Sequence, residues 1–200
     1  AGKAGRFVRF KVVWFDHGAN IAMATKYLIV KTEPTKGACR LRTIKNVPND
    51  HRFSIGASFS KDFPADALCK MNDSFPNDIR LVDSLRNLSS LLVVSESFKN
   101  ALEAIPGALV QNEVLPVAIV NHRGREEKVP YFIIHQLARP ECLDEAKTKG
   151  TRSKIAPAQF QFLKKMVRDL QRIPPDLMLF RAAQYPLLPL IRSDLAESLA

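Results

Sequence analysis

Cysteine, tryptophan and glycine are scarce in this chain: three, one and eight in 200 residues. Cys39, Cys69 and Cys142 are far apart and odd in number, so they make neither a disulfide framework nor a CxxC metal pair. The expectation is small buried thiols in a reducing cytosol. With so few glycines there is neither GxGxxG nor GxxxxGK[ST], hence no phosphate-cradling loop of recognised form. No apolar run reaches the roughly 18 residues of a membrane span. After the basic start, Arg9, Lys11 and Asp16 interrupt the apolar stretch. A secretory signal therefore does not read well, and a cytoplasmic location is expected.

Catalytic constellations are missing as well. His17, His51, His122 and His135 include no pair three or four apart, so no helical HxxxH or HExxH metal motif exists. Asp16-His17 reads as a turn, and His135, between Ile134 and Leu137, as an inward or edge strand residue. Gly56-Ala57-Ser58-Phe59-Ser60 resembles half of a nucleophile elbow without its second glycine. Glu126-Glu127 and Asp144-Glu145 are adjacent carboxylates beside turns and are expected to be solvated. The reading is a non-enzyme, with no catalytic residue, no metal and no cofactor.

What is present is ordinary globular composition: 46% hydrophobic and 25% charged residues, with a net charge of +10. The charge is uneven, +8 over residues 1–52, −4 over 53–145 and +6 over 146–200. A basic protein invites a nucleic-acid reading. The basic residues are dispersed, however, without a run of five or six and without interleaved aromatics. Nucleic-acid association is therefore kept as the alternative.

Hydropathy patterning predicts strands over 7–15 and 27–31. Between 32 and 90 it predicts loops with short strands at 41–44 and near 80–82. Residues 91–94 read as a buried strand. Ser95 or Ser97 would cap a helix whose face is Phe98, Ala101, Leu102 and Ile105, and which Pro106-Gly107 ends. Residues 109–120 and 129–137 form the clearest hairpin, with Pro116 favouring an edge or bulge. Phe160, Leu163, Val167 and Leu170 predict a helix over 158–172, with Lys164, Lys165, Arg168 and Arg172 largely on the other face. Strands are predicted at 177–180 and 187–191, and Ser193 is expected to cap a closing helix. Strand-then-helix occurs at 93–102 and again at 190–199, an internal echo that suits an α+β fold with a mainly antiparallel sheet. One domain is expected, with 1–79 as an irregular lobe and 80–200 as its core.

Several blocks carry a resemblance. Arg80-Leu81-Val82-Asp83 is followed by Leu92-Val93-Val94-Ser95-Glu96-Ser97-Phe98-Lys99-Asn100-Ala101-Leu102-Glu103. Then come Leu115-Pro116-Val117-Ala118-Ile119, Gly124, Tyr131-Phe132-Ile133-Ile134, Cys142-Leu143-Asp144, Phe180-Arg181 and the final strand–helix 188–199. Over residues 80–200 this order resembles a family of bacterial immunity proteins, first defined from a myxobacterial protein and found beside polymorphic toxins. The resemblance implies a partner, a cognate toxin or effector that is contact-dependent or type VI secreted, neutralised by stoichiometric occlusion. It also implies a strand where the residue spacing predicts the 158–172 helix. On that reading the acidic middle, Asp73, Asp78, Asp83, Glu126 and Glu127, would form a negative patch facing a basic toxin.

Overall fold

In this computed structural model, residues 27–32 and 35–199 are described. The strand expected over 7–15 and the Asp16-His17 turn lie outside them. The first half holds β1 (Tyr27–Ile29), β2 (Arg40–Lys45), α1 (Arg52–Ile55), β3 (Leu68–Met71), β4 (Ser84–Asn87), β5 (Leu92–Ser95) and α2 (Glu96–Glu103). The second holds β6 (Asn112–Val120), β7 (Tyr131–Gln136), β8 (Lys149–Arg152), β9 (Phe160–Lys165), β10 (Leu179–Ala182), β11 (Tyr185–Arg192) and α3 (Ser193–Ser198).

The expected hairpin, β6 and β7, organises the molecule. Its alternation sends Leu115, Val117, Ile119, Tyr131 and Ile133 to one face. That face is the inside of a closed barrel of six strands, ordered β2-β3-β6-β7-β5-β4. Leu41, Cys69, Met71, Leu85 and Val93 complete the filling. Closure removes sheet edges, and here it uses two parallel joints, β2 with β4 and β3 with β6. Pro116 fits where β6 is still open. The Ala118 amide reaches Ala67 on the β3 side, so the amide that Pro116 lacks would face that same side, ahead of the first β3 partner at Ala118.

The outer face of β5 and β7 is also apolar, and α2, α3 and a second sheet pack there. Leu92, Val94 and Ile134 meet Phe98 and Leu102 of α2, and Leu195 with Leu199 at α3. Leu28, Leu179 and Ile191 reach the same cluster from a second sheet, ordered β1-β11-β10. The opposite side of that sheet, with Tyr27, Phe180 and Leu190, is covered by Phe160, Met166 and Leu143. The three-stranded sheet is thus a middle layer. Both strand–helix units of the internal echo, β5–α2 and β11–α3, dock into one core. In α2 the Ser95 hydroxyl accepts from the Phe98 amide at 3.3 Å, and it donates to Asp83. Burying Leu102 and Phe98 contributes about 2 kcal/mol each, and Gly107 at φ 81° follows the helix end.

Antiparallel pairing and docked strand–helix units are as expected, but the fold is mainly β rather than evenly α+β. Three further expectations are corrected. Residues 158–172 are not a helix: Phe160–Lys165 is β9, paired with β8. Two bulges in β9 skip Gln161 and Lys164, since Arg152, Thr151, Gly150 and Lys149 face Phe160, Phe162, Leu163 and Lys165. Each extra residue shifts the side-chain parity, which places Phe160 and Leu163 in the same core at helical spacing. A side chain at Gly150 would come within 2.2 Å of the Phe162 carbonyl, so glycine permits this close crossing. Second, residues 80–82 contribute one bridge, Ala38 with Arg80, and the strand comes later as β4. Third, Ser193 is the first residue of α3 and Arg192 is its N-cap. Asp194 supplies the local acceptor instead, taking the Leu195 amide at 2.8 Å and the Nε and one terminal nitrogen of Arg192. The boundary near residue 80 falls inside the barrel, because β2 and β3 complete it.

Candidate functional site

The barrel has two dissimilar ends. At one end lie the loops 72–80 and 121–130, which carry four of the five acidic candidates. Asp73 meets Arg42 and His122 Nδ1, both at 3.3 Å, so the two loops are tied together. Asp78 pairs with Arg40 at 3.0 Å, and the Arg40 guanidinium stacks 3.9 Å from the Phe75 ring centroid. Glu127 accepts from Asn121 Nδ2 at 2.9 Å, and Glu126 is exposed where it bridges Val120. Burial, with smaller contributions from Glu127 and Asp78, pushes the Cys39 thiol up to about 12, so both carboxylates act on the same barrel residue. Asp83 has another task. It accepts from Ser95 and Ser97 at the start of α2, and it stands near Tyr131, whose hydroxyl donates to the Val82 carbonyl at 2.8 Å.

The fold therefore gathers Asp73, Asp78, Glu126 and Glu127 around one barrel end and gives Asp83 to a helix cap. It also interleaves them with Arg40, Arg42, Arg80, Arg123 and Arg125, so the surface is mixed in sign. Missed from sequence are the apolar side chains among them: Phe75, Ile79 and Val129 are 37%, 61% and 48% exposed. The signal was visible as single hydrophobics inside otherwise polar turns.

The other end holds the histidine and serine singled out earlier. The Ser58 hydroxyl and the amides of Phe59 (2.9 Å) and Ser60 (3.0 Å) converge on the Glu113 carboxylate. The half-elbow is thus a cradle for this chain's own acid. His135 Nε2 lies 3.0 Å from the Ala57 carbonyl, edge-on to Phe53 and Phe59. Desolvation is the main reason its pKa falls below the usual histidine value. A cationic imidazole is disfavoured there, as expected of a satisfied inward histidine.

Behind it sit two arginines to which the sequence assigned no site, Arg139 and Arg181, the second named only within the Phe180-Arg181 block. Arg139 donates to the carbonyls of Gln136 (2.7 Å) and Phe53 (3.0 Å), and its buried Nε has no hydrogen-bond partner among the described residues. Burial lowers Arg139 to about 10, and burial together with the like charge of Arg139 lowers Arg181 to about 9. The available signal was one charge inside the apolar run Leu177-Met178-Leu179-Phe180-Arg181-Ala182.

Elsewhere, Asp144 and Glu145 pair with Lys147 (2.9 Å) and Arg152 (2.8 Å) in the 141–152 segment. Cys69 and Cys142 are buried free thiols pushed up to about 12 and about 11 by desolvation. Among the described residues, no group of three or more His, Cys, Asp or Glu side chains is placed to hold a metal, and no helix is long and apolar enough to cross a membrane. The sequence matches no protein-family model, and no curated protein matches it.

Proposed function

We propose that this protein is a cytoplasmic immunity protein that binds a cognate bacterial toxin or effector and neutralises it by stoichiometric occlusion. The observation that carries the reading is the loop surface at the 72–80 and 121–130 end. Exposed Phe75, Ile79 and Val129 lie among charged side chains on two loops linked by the His122–Asp73 contact. Apolar anchors within a polar rim are the anatomy of a protein interface. The blocks that resemble immunity proteins add support, since residues of 92–103, 131–134 and 190–199 pack into one core.

A durable inhibitor needs about 1,600 Å² of total buried surface. Glu126 and Glu127, at the hairpin tip, would act at long range, steering a basic toxin face toward the loops. The test is co-expression with the product of the adjacent gene, read as a pull-down and as rescue of growth. A stable complex and rescue are expected; neither appearing would overturn the reading. In the complex, Glu126→Lys with Glu127→Lys should slow association about tenfold and flatten its salt dependence. Unchanged kinetics would remove those two residues from the interface.

A second reading, nucleic-acid association, is favoured by one feature. The β8–β9 ribbon carries the exposed Lys149 and Lys164 together with Phe162, which is 56% exposed. Binding of labelled single-stranded DNA that falls steeply between 50 and 200 mM salt would support it.

A further inference from the structure

At the barrel end opposite the acidic loops, a pocket of about 330 Å³ opens between α1, the 88–91 turn and the start of β11. Ile44, Phe53 and Leu91 line its wall, and Leu88 and Leu187, 65% and 42% exposed, flank the mouth. Arg181 also lines it, yet is only 5% exposed. Its Nε donates to Gln136 Oε1 at 2.8 Å, one terminal nitrogen to the Pro186 carbonyl at 2.6 Å and the other to the Ser90 carbonyl at 2.7 Å.

All three acceptors are neutral, and they use three of the five N–H groups of a guanidinium. Among the described residues no ion pair includes Arg181. The one charge found acting on it is Arg139, of the same sign. A buried cation without a counter-charge is costly, and an anion entering the pocket would offset that cost directly.

The chemistry of the anion follows from the surroundings. A planar guanidinium matches the two oxygens of a carboxylate. Asp50 stands in the pocket lining with His51, so a dianion such as phosphate meets repulsion at the entrance. The apolar wall suits methylenes. We propose that this pocket binds a monocarboxylate on a short aliphatic body, with Arg181 taking the carboxylate and Ile44, Phe53 and Leu91 the chain. The proposal stands apart from the partner reading, because the acidic loops are at the other end of the barrel.

The test is calorimetric titration of the full chain with sodium hexanoate, sodium acetate, hexanamide and inorganic phosphate. Hexanoate should bind roughly a hundredfold more tightly than acetate, as four further buried methylenes require. It should also shift the Arg181 Nε–H resonance. Leu187→Asp, an exposed change at the mouth, should weaken hexanoate at least tenfold, whereas Arg42→Ala at the far end should leave it unchanged. Four results would each overturn the proposal: no binding of hexanoate, hexanamide binding as tightly as hexanoate, phosphate binding more tightly, or Leu187→Asp binding undiminished. A folded far-UV spectrum for Leu187→Asp keeps that comparison valid.

Discussion

The two ends of the barrel handle charge in opposite ways. At the acidic-loop end, Arg40 and Arg42 meet carboxylates in partly or fully solvated pairs. At the far end, Arg139 and Arg181 are buried among carbonyls and a glutamine, with no carboxylate partner among the described residues. Water screens the first set, so each pair is worth little and the surface stays free to exchange partners. The second set is locked into backbone geometry, joining α1, β7, the 88–91 turn, β10 and β11. One end is built for contact and the other for cohesion, although both are made from arginine.

Replacing the locked residue should break this comparison most. Arg181→Met would strand Gln136, Pro186 and Ser90 acceptors in a buried site and should lower stability by about 3 kcal/mol, read by urea unfolding. A loss under about 1 kcal/mol would mean that relief of repulsion with Arg139 balances those bonds. Gly56→Ala tests the same seam without touching charge. Gly56 has φ 73°, and its Cβ would lie 2.5 Å from the Leu137 carbonyl and 3.2 Å from Arg139; a loss of about 2 kcal/mol is expected. His135 sharpens the contrast through pH. Its folded pKa is lowered by burial, so below the unfolded value of 6.5 the unfolded chain binds the proton first. Its contribution is therefore full above pH 6.5 and declines as pH falls, and His135→Gln should flatten the urea midpoint between pH 7 and 5. The smallest effect belongs to the solvated end, where Arg42→Ala should change stability by less than about 0.5 kcal/mol.

How much of this was legible in sequence depends on where each element finds its partner. The β6–β7 hairpin and the β5–α2 unit could be read because long apolar runs, a turn and a capping serine lie within one local stretch. β3 and β4 could not, because each has four residues and their parallel partners lie far along the chain. β9 was misread because its bulges reproduce helical spacing. At the candidate interface the acids were visible, but their pairing with Arg40, Arg42 and His122 depends on contacts between loops distant in sequence. Arg181 was hidden by its type: an arginine in a strand reads as the solvent-facing alternate, and only the packing of β11 and β7 around β10 buries it.

The parallel joints that close the barrel also bear on how the chain is made. The β2–β3 ribbon is synthesised before both of its parallel partners, and one flank must wait for β4 and the other for β6. On a ribosome it would spend that interval with Leu41, Cys69 and Met71 unsheltered. That ribbon thus stays open until β6 emerges, which makes it a segment a chaperone would meet and a place where a product truncated before β6 would clump.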